Sequence, residues 1–126
     1  MGYELRVERE SPLDYAELAR VLDGEAGYEL RGSPESGEVV ASAGDAAHTV
    51  ATWNGAHGRL SGTPVSDWHV AQLARVAELL GGRLVGEDGE EYGIRVGILE
   101  QVHGSTVFEF GKLDEIIAAG PEPWRS

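Results

Sequence analysis

Gly81-Gly82-Arg83-Leu84-Val85-Gly86-Glu87-Asp88-Gly89-Glu90-Glu91-Tyr92 is the stretch on which the fold turns. Ahead of it, Val70, Leu73, Val76, Ala77 and Leu80 recur at helical spacing, and Gly81-Gly82 supplies a left-handed stop. Arg83, Leu84 and Val85 then read as a short strand, so one glycine pair separates helix from strand. Beyond them lies a glycine-hinged loop closed by Tyr92. Glu87, Asp88, Glu90 and Glu91 crowd into five positions there with no basic residue between them. Such a loop costs self-repulsion, and a solvated face or a cationic partner is its natural explanation.

Working downstream, residues 93–101 alternate, with Ile94, Val96 and Ile98 against Arg95, Gly97 and Leu99, and predict one strand. Residues 105–110 alternate again, with His103-Gly104 as a hairpin turn between the two. Residues 112–119 predict a short last helix, stopped by Gly120-Pro121. Residues 121–126 form a tail whose Trp124 docks on the body.

Working upstream, Thr63-Pro64-Val65-Ser66-Asp67 opens the long helix, with Thr63 or Ser66 as its cap. Asp67, Gln72, Arg75 and Glu78 are expected to face water. Residues 38–43, 48–53 and 57–60 read as three antiparallel strands. They turn at Gly44-Asp45 and at Asn54-Gly55, the latter a type I′ signal because both residues tolerate positive φ. Residues 33–37 are a polar turn and residues 28–30 a strand. Ser11-Pro12-Leu13-Asp14 begins the first helix, with Ser11 as cap, and Asp23-Gly24 ends it. Residues 3–7 alternate as a strand that buries Tyr3, Leu5 and Val7. The sum is one α+β domain over residues 1–126, a largely antiparallel sheet with two main helices packed on it and a short C-terminal helix. The chain shows no internal repeat and no linker long enough to divide it.

At 126 residues and 41% hydrophobic composition, one real core is expected. The charge is lopsided: 22 acidic residues against 10 basic ones give a net −12. That balance repels nucleic-acid phosphates and anionic lipid, so neither nucleic acid nor membrane is expected as a partner. Cysteine is absent, which excludes disulfides, thiolate chemistry and cysteine-based zinc sites. Residues 1–6 lack a basic segment followed by an apolar run, and no window approaches the ~18 apolar residues of a membrane span. The cytoplasm is the expected compartment.

The chemistry-bearing motifs are few. His48, His57, His69 and His103 show no i, i+4 pairing of the kind that marks a metal site. His48 and His57 flank a hairpin, and Asp45 or His69 would complete a site there if the register brought them together; four scattered histidines is the simpler reading. No Gly-x-Ser-x-Gly elbow is present. The loop carboxylates, if exposed, keep ordinary pKa values and make poor general acids. Gly86-x-x-Gly89 lacks the lysine and hydroxyl of a phosphate loop, and the ligand spacing of an EF-hand is missing. No cofactor and no metal is therefore expected. Trp53 and Trp68 read as core or edge residues, and as interface anchors if exposed.

The order tryptophan-Asn-Gly, short strand, Pro-started helix and then Leu80 through Tyr92 resembles small bacterial immunity-type proteins of polymorphic or contact-dependent toxin systems. In that pattern the helix runs into a "leu-gly-ala-arg-val-x-gly-asp-asp-gly-glu" ending. This chain has Gly82 in place of the alanine and Glu87 in place of the first aspartate, and the resemblance covers about residues 53–92. It implies an intracellular, non-catalytic protein that plugs a toxin. An acidic plug suits a basic toxin site by electrostatic complementarity. Glu87, Asp88, Glu90, Glu91 and Tyr92, with Asp67 and Glu78 on the long helix, are then the contact residues.

Two other readings compete. One is a small-molecule binder or enzyme that uses His48, His57 or His69 in a pocket between sheet and helices. The other is a homo-oligomeric domain in which the alternating segments at 93–110 complete a partner's sheet.

Overall fold

The computed structural model describes residues 3–124. Its nine strands are β1 (Leu5–Glu8), β2 (Tyr28–Gly32), β3 (Ser36–Ala43), β4 (Ala46–Asn54), β5 (Arg59–Gly62), β6 (Arg83–Val85), β7 (Glu91–Arg95), β8 (Ile98–His103) and β9 (Thr106–Lys112). Three helices, α1 (Tyr15–Asp23), α2 (Asp67–Leu79) and α3 (Leu113–Ala119), complete it. The strands form one antiparallel sheet in the order β2-β3-β4-β5-β1-β6-β7-β8-β9. This is the α+β class expected from the sequence. Two four-strand meanders, each preceded by a helix, are joined by β1. That strand pairs Arg6 with Ser61 on one side and with Val85 on the other.

The helix α2 lies at the centre of the core. Ser66 caps it, its side chain accepting from the His69 N–H. Trp68, Val70, Ala71, Leu73, Ala74, Val76 and Ala77 are all buried, so the apolar surface wraps most of the helix rather than one stripe. They pack on Leu5, Val39, Trp53, Leu60, Leu84 and Leu99 from the sheet and on Leu18 and Leu22 from α1. Gln72, expected in water, is buried and accepts a hydrogen bond from the Tyr28 hydroxyl. Arg75 lies 5.9 Å from the centre of the same Tyr28 ring. The edge strand β2 thus reaches over a helix face that its sequence marks as polar.

Three other local expectations change. Asp14, not Ser11, caps α1, accepting from the Glu17 N–H at 2.8 Å, and Pro12 lies outside the helix. Asn54-Gly55 is not a two-residue turn: β4 and β5 are joined by residues 55–58, Gly58 takes the positive φ of 58°, and Gly55 has no room for a side chain against the Pro34 carbonyl. The single strand expected over 93–101 is two strands. Val96 (φ 50°) and Gly97 (φ 75°) form the tight turn between β7 and β8, the geometry of a type I′ hairpin. A β-branched residue resists positive φ, so the sequence hides this turn.

Val96 is 92% exposed and holds no packing that offsets its backbone strain. Val96→Gly is expected to stabilise the fold by roughly 1 kcal/mol, which raises Tm by about 4 °C. Calorimetry of the two proteins checks this. Trp68→Ala, by contrast, empties the middle of the core and should cost about 3–5 kcal/mol in a urea titration.

Candidate functional site

The acidic stretch is a built turn rather than a solvated loop. Gly86 and Glu90 close it through Gly86 N–H to Glu90 C=O at 2.8 Å, and Gly89 N–H donates to the Gly86 carbonyl at 3.1 Å. Gly89 has a φ of 83°. Gly86 matters for a different reason: a β-carbon there would displace the Glu90 carboxylate, which folds back across it.

Glu90 is the hub, and its expected place on a contact surface is corrected: it is buried, at 3% exposure. Its carboxylate accepts from the Tyr3 hydroxyl, from the Tyr92 hydroxyl at 2.8 Å and from the Asp88 N–H at 3.0 Å. Burial pushes this carboxyl up, but the hydrogen bonds from the two phenols and the backbone outweigh it and hold it below the usual carboxylate value. The phenols respond in the opposite sense. Burial and then the bond to Glu90 raise both Tyr3 and Tyr92, so each stays protonated and remains a donor.

The other carboxylates have separate fates. Glu87 is exposed, and its Oε2 accepts from the Glu4 N–H at 2.9 Å, tying the turn to the start of β1. Asp88 is exposed at the tip. Glu91 is paired with the molecule's own Arg83 at 3.2 Å, both side chains being largely open to solvent. Asp67 is also engaged: it accepts from the Trp124 Nε1–H at 2.8 Å, while the Trp124 N–H donates to the Val65 carbonyl. The tail docks at the start of α2 in this way. Glu78 is exposed three helical turns away from Asp67, about 16 Å along the axis. The seven candidate residues therefore occupy three places, and only Glu87 and Asp88 form an exposed acidic pair on the turn.

Tyr3 and Glu4 are the site residues that sequence reasoning missed. They stand more than 80 positions from their partners, and only the β1–β6 pairing brings them there, so no local signal marks them.

The histidines divide. His48 on β4 and His69 on α2 both set their rings edge-on to Trp68, at 5.5 and 5.2 Å between centroids. The Ser66 hydroxyl lies 2.6 Å from His69 Nδ1. Burial, and then the nearby His48, hold His69 below the ordinary imidazole value. His57 and His103 are exposed elsewhere. His48 and His69 thus flank one buried tryptophan, while His57 is exposed elsewhere, so the three are not gathered at one place. Among the described residues, no three histidine, aspartate or glutamate side chains converge.

An open notch of about 350 Å³ lies between the end of α2, near Glu78, and strands β6 to β8. Four of its charged residues pair with one another, Arg83 with Glu91 and Arg95 with Glu100, the latter through two bonds of 2.9 and 3.1 Å. No helix of the described chain is long and apolar enough to cross a membrane. No family model, curated protein or solved structure matches the chain.

Glu90→Gln is expected to destabilise the protein by about 1–3 kcal/mol at neutral pH, because it weakens the acceptor that two phenols and a backbone N–H share. Since the folded carboxyl titrates below its unfolded value of 4.5, its stabilisation is present above that pH and is lost as pH falls through the lowered folded value. Urea titrations at several pH values should show the difference between wild type and variant shrink in acid.

Proposed function

We propose that this protein is an acidic, non-catalytic binding module that docks a basic protein, of the immunity type that neutralises a basic bacterial toxin in the cytoplasm. The supporting observation is an excess of negative charge that the chain does not compensate. Of its 22 acidic residues, the ion pairs of the described chain engage Glu8, Glu17, Glu29, Glu91 and Glu100. Most of the others face water.

Glu87 and Asp88 are the favoured contacts within that surface. Like charges side by side repel each other, and a flexible loop would let them separate. Here Glu90 and the start of β1 hold the turn in one shape. A cation arriving at Asp88 then meets charge that is already oriented, which lowers the ordering cost of binding. The whole-molecule field adds long-range steering of a basic partner, at a rate that falls with ionic strength. Glu78 supplies further negative surface, whereas Glu90 and Tyr92 act by fixing the turn.

The test is capture from lysate of the native host with wild-type protein and with a Glu87→Lys/Asp88→Lys double variant. The expected result is a basic protein held by wild type, released as salt rises, and bound at least about tenfold more weakly by the variant. Retention of the same partners by both proteins with the same salt dependence would contradict the reading.

A further inference from the structure

We infer that β9 is a self-association edge at which two copies of this chain join their sheets. This inference stands apart from the acidic-turn reading and uses the opposite end of the C-terminal meander. The sheet has two edges, and they differ. On β2, Glu29 and Arg31 are exposed and paired with each other at 3.1 Å, and each edge strand has a helix beside it, α1 at β2 and α3 at β9. Such charge guards an edge against pairing. On β9, Val107 and Phe108 are 51% and 57% exposed, on opposite faces of the strand. Phe108 is the outer end of an aromatic row: its ring lies 5.1 Å from Phe110, which lies 6.2 Å from Tyr92.

The register lets a second copy of β9 fit the open side. His103 pairs with Thr106 across the two-residue turn, Gln101 with Phe108 and Val102 with Val107. Antiparallel bonding alternates along a strand, so Thr106 and Phe108 turn their backbone groups to β8. Val107 and Glu109 turn theirs to the open edge. These two unpaired positions flank Phe108 symmetrically. A second β9 approaching antiparallel about a two-fold axis at Phe108 bonds Val107 to the partner's Glu109 and Glu109 to the partner's Val107. Phe108 then faces Phe108 of the partner subunit in the closer, non-bonded pairing. This register places neither Glu109 opposite its copy, so the one acidic side chain of the strand meets an apolar residue instead of a like charge.

Two bodies of net charge −12 repel each other, so this association has a distinctive signature: it strengthens as salt screens the repulsion. Capture of a basic partner through Glu87 and Asp88 weakens with salt. Failure of one proposal is therefore distinguishable from failure of the other.

Sedimentation velocity across a concentration series, at about 50 mM and about 500 mM salt, tests the inference. Wild type is expected to pass from monomer to dimer, with a tighter dimer at high salt. Val107→Pro removes an N–H that the monomer leaves unbonded, a position where an edge strand tolerates proline, and should weaken the dimer at least about tenfold. Phe108→Lys should do the same by a separate route, and Glu87→Lys/Asp88→Lys should leave the edge intact. Circular dichroism of each variant verifies that the monomer is folded. A wild-type protein that stays monomeric at every concentration and salt overturns the inference. So does a dimer that folded Val107→Pro and Phe108→Lys proteins form as well as wild type.

Discussion

The insertion of β1 between β5 and β6 is the constraint on which this molecule depends. Both meanders are local structures, each made of neighbouring strands that pair as the chain emerges. Neither touches the other through a strand pair except by way of β1. Four residues at the beginning of the chain therefore make one nine-strand sheet out of two four-strand ones. Leu5 and Val7 point into the common core under α2, so the seam is held by burial as well as by backbone bonds.

The same strand shapes the acidic turn. Glu4 and Glu87 sit opposite each other where β1 and β6 run out, and the Glu4 N–H binds the Glu87 carboxylate. One residue earlier, the Tyr3 hydroxyl reaches Glu90. A carboxylate drawn into the structure by hydrogen bonds thus organises two that stay outside. This division of labour eases the cost of placing four negative side chains in five positions: the charge of one is stabilised by phenol and amide donors, one is paired with Arg83, and the remaining pair faces solvent.

Much of the architecture was legible in the sequence. The α+β class, the stop at Gly81-Gly82, the strand after it and the helix ending at Gly120 all rest on short-range signals, namely glycine conformation and apolar periodicity. Two of the misreadings, Gln72 and Glu90, share a cause, which is that long-range contact overrode local pattern. Gln72 carries an amide and reads as wet, yet Tyr28 from a distant strand supplies its partner. Glu90 reads as solvated because its main donor lies at the other end of the chain. Val96 reads as mid-strand because β-branching favours extended backbone, whereas Gly97 and the pairing of Ile94 with Leu99 impose a turn. The candidate site was legible as a place, the turn at 86–90, but not as an arrangement, since the roles of its carboxylates are assigned by Tyr3, Glu4 and Arg83.

Amide hydrogen exchange at Asp88 tests the central claim, a preformed turn locked by Glu90, most directly. An exposed loop amide with no partner exchanges at its random-coil rate. The account expects the Asp88 N–H, bonded to the Glu90 carboxylate, to be protected at neutral pH and to lose that protection, relative to the random-coil rate, in acid as the carboxyl gains its proton. Exchange of Asp88 at the random-coil rate throughout would show that the acidic turn is not fixed, and would contradict the account.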